Sequence, residues 1–120
     1  MRNLTEIMMV VLVVVAALFA GCLGLKGRGE IVKLPDNAVL LDVRQPGEFN
    51  AGHIDGAVLV PHDTIADKIA SVVPDKETPV YVYCRSGRRS AMAVRSMRSL
   101  GYTNLIDLGG MAEARDRLGK

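Results

Sequence analysis

The chain has 120 residues, 49% of them hydrophobic, and its 15 lysines and arginines against 13 acidic residues leave a net charge of +2. That length suits one small domain, and so mild a charge, without an aromatic-interleaved basic patch, excludes a nucleic-acid-binding profile. The only cysteines, Cys22 and Cys84, are too few for a disulfide framework, and no cysteine pair at ligand spacing accompanies His53 and His62 to make a structural zinc site.

Residues 1–25 read as a targeting segment. Arg2 precedes an uninterrupted apolar run from Ile7 to Ala20, which closes on Phe19-Ala-Gly-Cys22. Small residues before a cysteine resemble the lipobox of bacterial-type lipoproteins, with Cys22 as the candidate lipid-attachment residue; Phe19 stands where that pattern prefers leucine. An uncleaved anchor is a second reading, because the 19 residues from Ile7 to Leu25 are about enough to cross the hydrocarbon core as a helix. An ordinary cleaved signal peptide is a third. All three separate the segment from the fold; the expected location is exported, membrane-anchored and extracytoplasmic. If the anchor is uncleaved, Lys26 and Arg28 against Arg2 favour a cytoplasmic-facing one.

Residues 26–29 form a short glycine-containing tether, and the folded domain is expected over residues 30–120. Glu30 to Leu34 alternates weakly and predicts a short edge strand, followed by a turn at Pro35-Asp-Asn37. Ala38 to Val43 is too short for a helix and apolar on both faces, which suits a buried parallel strand. Pro46 to Gly52 carries turn residues around a single helical turn, and Gly56 to Pro61 is a second short buried strand. Ile65, Ile69 and Val72 recur at helical spacing and predict a helix over Asp63–Val73, with Asp63 or Thr64 as N-cap. Val80 to Tyr83 is a strand that leads into Cys84. Ser90 to Leu100 predicts a helix with Ala91, Val94, Met97 and Leu100 on its buried face, stopped by Gly101. Asn104 to Leu108 is a last strand, Gly109-Gly110 a turn, and Met111 to Leu118 a terminal helix. This alternation predicts an α/β domain with a mostly parallel central sheet and helices on both faces.

Chemistry concentrates at Cys84. A strand, a cysteine, a short glycine-containing loop and then a helix aim backbone N–H groups and the positive end of a helix at the sulfur, which favours a thiolate. Arg85, Arg88, Arg89, Arg95 and Arg98 fall between Thr78 and Ile106 without an acid among them. Arg95 and Arg98 read as a solvated helix face; the others surround an anion site built on a reactive cysteine. Two blander readings compete: an inert core cysteine, which the arginines and Gly87 oppose, and a Cys22–Cys84 disulfide, which would tie this position to the membrane-proximal segment. Asp42 and Arg44, at the end of a buried strand, read as support for a loop. His53 reads as a hydrogen-bonding turn residue and His62 as a surface residue.

Leu40-Leu-Asp-Val-Arg44, Glu48-Phe-Asn-Ala-Gly-His-Ile-Asp-Gly-Ala57 and Pro61 resemble the N-terminal half of rhodanese domains. Tyr83-Cys-Arg-Ser-Gly-Arg-Arg-Ser90, Gly101-Tyr102 and Leu108-Gly-Gly110 resemble the C-terminal half. The likeness covers about residues 30–118 and is greatest to short, exported, single-domain rhodaneses of the phage-shock type. It implies a sulfurtransferase that moves sulfane sulfur from thiosulfate or a related donor to a nucleophilic acceptor, through a persulfide on Cys84. Arg85, Ser86, Gly87, Arg88 and Arg89 would form the loop that holds donor and persulfide. The resemblance implies no metal and no cofactor. The expected partners are a small anionic sulfur donor, an acceptor that is a small molecule or a protein thiol, and the membrane through the N-terminus.

Loop length separates this pattern from its relatives. Phosphatase and arsenate-reductase sites resemble a cysteine, five residues and an arginine; here Ser90 holds that last place, and the six residues from Cys84 to Arg89 resemble the sulfur-handling version. No resolving cysteine lies nearby, which disfavours a dithiol oxidoreductase. Two positions depart from the family pattern: Ser86, where some thiosulfate-preferring members carry lysine, and Ala114, where many carry tryptophan. The alternative function is a non-enzymatic, membrane-tethered rhodanese-like binding module.

Overall fold

A computed structural model describes residues 30–120. The expected targeting segment with Cys22 and the tether over residues 26–29 lie outside the described residues. Among the described residues no helix is long and apolar enough to cross a membrane.

Four short strands, β1 (Val39–Asp42), β2 (Val58–Leu59), β3 (Val80–Cys84) and β4 (Leu105–Gly110), form one sheet in the order β2-β1-β3-β4. Every pairing is parallel. The connections carry the helices: α1 (Pro46–Ala51) between β1 and β2, α2 (Ile65–Val72) after a 3₁₀ turn at His62–Thr64, and α3 (Arg88–Ser99) between β3 and β4. The last helix, α4 (Met111–Leu118), follows β4 directly.

Successive strand residues point to opposite faces of a sheet, and the two faces here bury separate cores. Leu41, Val43, Val80, Val82 and Cys84 face the side covered by α2 and α3, where they pack with Ile65, Ile69, Ala93, Val94 and Met97. Leu40, Tyr81 and Tyr83 face the other side, with Ile54, Leu108, and Ala114 and Leu118 of α4. Burial on both faces explains why these strands read as continuous apolar runs. It also puts Cys84 and Tyr83, neighbours in sequence, on opposite sides of the sheet.

The α4 face contains a buried polar network. Asp42 lies opposite Tyr83 in the β1–β3 register and accepts a hydrogen bond from its hydroxyl at 2.7 Å. The same hydroxyl accepts from the Ile54 amide at 3.1 Å. Arg44 donates to Asp42 through its backbone N–H at 2.9 Å and through its guanidinium at 2.8 Å, and reaches the Gly52 carbonyl at 2.7 Å. Burial and the bond to Asp42 push the Tyr83 hydroxyl up to about 12, so it remains a donor. The hydrogen bond to Asp42 also raises the Arg44 guanidinium above its ordinary value. Strand β1, strand β3 and the 52–57 connection are thus tied to one another through side chains.

Four expectations need correction. The strand expected to be buried over Gly56–Pro61 is reduced to Val58–Leu59 and is not buried, with Val58 exposed. Glu30–Leu34 is not a strand: its one backbone bond of this kind runs from the Val32 amide to the Arg117 carbonyl, at 2.7 Å. Val32 and Leu34 pack instead on the α4-side core, so their alternation reflects burial against that side and not pairing at a sheet edge. Helix α3 begins two residues early, at Arg88, and buries Ser90, Ala93, Val94 and Met97; Ala91 is only half-buried, and Leu100 is 36% exposed. Gly109-Gly110 is not a turn but the end of β4. A bulge there sets Asp107 opposite Val82 and Gly109 opposite Tyr83, leaving Leu108 as the extra residue. The expected stop at Gly101 is present: its amide bonds to Arg98 and that of Tyr102 to Met97, the paired bonds of a Schellman ending.

Replacing Tyr83 with Phe keeps the ring but leaves the buried Ile54 amide without its acceptor and Asp42 Oδ2 with only its bonds from Arg44. The expected loss is about 1–3 kcal/mol of stability, read as a lowered urea midpoint; an unchanged midpoint would contradict the role given to this network.

Candidate active site

Cys84 ends β3, and the chain turns at once through Arg85, Ser86 and Gly87 into α3. The turn depends on Gly87, whose φ of +100° lies in the left-handed region that a side chain disfavours. In that conformation the Gly87 amide donates to Cys84 Sγ at 3.0 Å. Burial alone pushes the Cys84 thiol up, but hydrogen bonds from Ser90, Gly87 and Ser86 outweigh it, and the net shift is downward. The Ser90 hydroxyl also donates to the Gly87 carbonyl at 2.9 Å. Its single hydrogen serves one acceptor at a time, so the steady part of the effect comes from the backbone amides. Cys84 itself is 0% exposed; its sulfur sits inside the loop, and Arg85, Ser86 and Arg88 are the exposed residues around it.

The end of β4 braces this loop. Ser86 and Gly110 form an antiparallel bridge, and the Met111 amide donates to the Arg85 carbonyl at 3.2 Å. A Cβ on Gly110 would stand 2.7 Å from that carbonyl oxygen, so only glycine lets the two backbones approach this closely.

The loop arginines are not equivalent. Arg89 turns across to α1 and grips Glu48 with two bonds, at 2.6 and 3.0 Å. These bonds pull the Glu48 carboxyl down to about 2 and raise the Arg89 guanidinium. Arg85 and Arg88 form no ion pair among the described residues. Beside the loop lies an open cleft of about 400 Å³, lined by Arg44, Glu48, Ala51, Gly52, Arg85, Met111 and Arg115. Asp42 and Arg44 lie under the site in the buried network, and only Arg44 reaches the cleft. His53 stacks on Phe49 at 3.7 Å and meets its carbonyl through Nδ1 at 3.0 Å. His62 is half-buried, with Nδ1 lacking a partner among the described residues, and does not line the cleft. Among the described residues no group of three His, Cys, Asp or Glu side chains converges to hold a metal ion.

Sequence reasoning therefore gathered Cys84 and its loop but missed three contributors: Glu48 as the partner of Arg89, Ser90 as a thiol-bonding residue, and Arg115 in the cleft wall. Nothing in local spacing links α1, α3 and α4 at one point, so only the topology brings them together.

A family profile described as Rhodanese-like domain matches residues 29–115. The chain belongs to the rhodanese-like domain family. Among curated relatives it is 37% identical to the thiosulfate sulfurtransferase PspE of Escherichia coli over 73 residues, which is 61% of this chain and 70% of that protein. It is 34% identical to the thiosulfate sulfurtransferase GlpE of Tolumonas auensis over 80 residues, covering 67% and 73% of the two chains. A solved structure described as a rhodanese with anions from E. coli superposes with a TM-score of 0.62 and 36% identity, over 63% of this chain and 89% of that one. The parallel sheet and flanking helices of this rhodanese-like domain match that neighbour's fold, as the motifs predicted.

Two outcomes test this geometry. Glu48→Gln is expected to cost about 1 kcal/mol near neutral pH, toward the upper end for a surface pair because two bonds are lost. The Glu48 carboxyl titrates in the folded protein at about 2, below its unfolded value. The pair's contribution is therefore full above an unfolded value of about 4.3 and fades as the pH falls through the folded one. Urea midpoints of the two proteins should separate at pH 7 and converge toward pH 2; a gap that survives acid would contradict the pairing. Independently, Cys84 should react with anionic iodoacetate relative to neutral iodoacetamide at a ratio about tenfold above that of 2-mercaptoethanol, and salt should reduce the excess. A ratio equal to mercaptoethanol's would mean that the loop's positive field does not reach the sulfur.

Proposed function

We propose that this rhodanese-like domain is a thiosulfate-type sulfurtransferase in which Cys84 carries the sulfur. The observation that carries the reading is the Gly87 amide aimed at Cys84 Sγ at 3.0 Å, in a loop bordered by Arg85 and Arg88. The relatives named thiosulfate sulfurtransferase and the neighbour described with anions support it.

In the first step the Cys84 thiolate attacks the outer sulfur of thiosulfate. A new S–S bond forms, the donor's S–S bond breaks, and sulfite leaves with that bond's electron pair. The product is a Cys84 persulfide whose outer sulfur is anionic. Loop amides favour this anion as they favour the thiolate, and the exposed arginines draw in the dianionic donor and ease the departure of sulfite. In the second step a nucleophilic acceptor, a small molecule or a protein thiol, attacks the outer sulfur and Cys84 leaves as the thiolate. Atoms and electrons balance over the cycle without a metal or redox cofactor. The apolar segment before the domain supports placing this chemistry at a membrane, on the extracytoplasmic side if lipid on Cys22 holds it and facing the cytoplasm if the uncleaved segment does, as Lys26 and Arg28 against Arg2 favour.

Intact mass of the full-length protein extracted from membranes tests both assignments. Incubation with thiosulfate should add the mass of one sulfur atom, cyanide should remove it, and Cys84→Ser should neither gain sulfur nor turn over thiosulfate and cyanide above background. Equal turnover by the two proteins would overturn the mechanism. The same spectrum reads the N-terminus: an untouched Met1 would overturn lipidation at Cys22 while leaving the sulfur chemistry standing.

A further inference from the structure

The cleft beside the Cys84 loop has a charge balance that singles out one residue of the terminal helix. Its wall holds three arginines and one carboxylate. Arg44 is neutralised by Asp42 at 2.8 Å, and Glu48 by Arg89 at 2.6 Å. That leaves Arg85, from the loop, and Arg115, from α4, as the cleft-lining charges without an ion pair among the described residues. The Arg115 guanidinium makes only a long bond, 3.5 Å, to the His53 carbonyl, so its other donors are open to a ligand. Ala51 and Met111 add apolar wall to the cleft, which strengthens a charge interaction relative to open water.

We propose that Arg115 is a specificity-determining residue for the sulfur donor, acting with Arg85 to hold the oxygen-bearing end of a doubly charged donor while its outer sulfur is presented to Cys84. The two uncompensated positive charges match a dianion such as thiosulfate in sign and number. They come from different elements of the cleft wall, one adjoining Cys84 in sequence and one on a helix that begins directly after the strand bracing the loop. Arginine suits this task because its fixed fork of donors engages two oxygens at once. The inference rests on the sulfur-transfer reading above, and the bonds made and broken are those of that cycle.

The experiment compares two donors of equal reacting sulfur and unequal charge: thiosulfate, a dianion, and methanethiosulfonate, a monoanion in which a methyl group replaces one oxygen. Steady-state transfer to cyanide is measured for wild type, Arg115→Gln, Arg115→Lys and Arg98→Gln. Arg98→Gln removes the same charge from the exposed side of α3. Arg115→Gln is expected to raise the KM for thiosulfate about tenfold with kcat nearly unchanged. Its KM for methanethiosulfonate should rise less than about threefold, because the lost charge-assisted bond is one this donor forms more weakly. Arg115→Lys should recover part of the thiosulfate KM, and Arg98→Gln should behave as wild type. Loss of the iodoacetate preference of Cys84 in Arg115→Gln would support the assignment without relying on turnover. Equal effects on both donors, with a lowered urea midpoint, would overturn it in favour of a purely structural arginine; unchanged kinetics would overturn it outright. If wild type gains no sulfur from either donor, the sulfur-transfer reading fails and takes this inference with it, an outcome distinct from an active wild type with an indifferent Arg115.

Discussion

A thiolate removed from water needs replacement donors, since a buried charge without hydrogen bonds is strongly disfavoured. At Cys84 the replacements are peptide N–H groups, fixed in direction by the backbone and requiring no side chain to be ordered. Everything around the sulfur serves that arrangement. Gly87 accepts the left-handed conformation that turns its amide inward; Gly110 lets β4 come close enough to brace the Arg85 carbonyl; and the Arg89–Glu48 pair fixes the start of α3 to α1. The downward shift of the thiol against the pull of burial is the net result.

The arginines divide the work. In sequence Arg85, Arg88 and Arg89 read as one cationic loop and Arg44 as support for another. In space, Arg44 and Arg89 are each matched by one carboxylate, and their pairings hold elements together. Arg85 and Arg88 remain exposed beside Cys84. Pairing thus takes two of the arginines out of play as anion attractors, while Arg85 and Arg88 keep their charge at the loop.

Much of this was legible in the order of residues. Buried parallel strands declare themselves as short apolar runs, so β1 and β3 were visible, and the cysteine at the end of β3 followed by Gly87 marked the loop. The misjudged parts share a cause. Val32 and Leu34 alternate as a strand would, yet alternation records only which side is buried, and here the burying surface is the α4-side core. Gly109-Gly110 carries turn chemistry, but the bulge at Leu108 and the close passage of the Arg85–Ser86 backbone use those glycines inside a strand. Glu48 and Arg115 were missed as site residues because their partners are distant in sequence, and spacing rules describe only neighbours along one element.

The bulge in β4 carries one more implication. Leu108 is the residue by which β4 exceeds its partner, and because of it Gly109 and Gly110 stand opposite Tyr83 and Cys84. A continuous ladder would advance the register by one place, setting Leu108 beside Tyr83 and a different residue against the Arg85 carbonyl. The strand therefore works as a spacer whose residue count, and not its chemistry, sets where the brace meets the loop. Evolution can vary the exposed loop side chains, while insertions or deletions between Leu105 and Gly110 would move the floor on which every such variant is built.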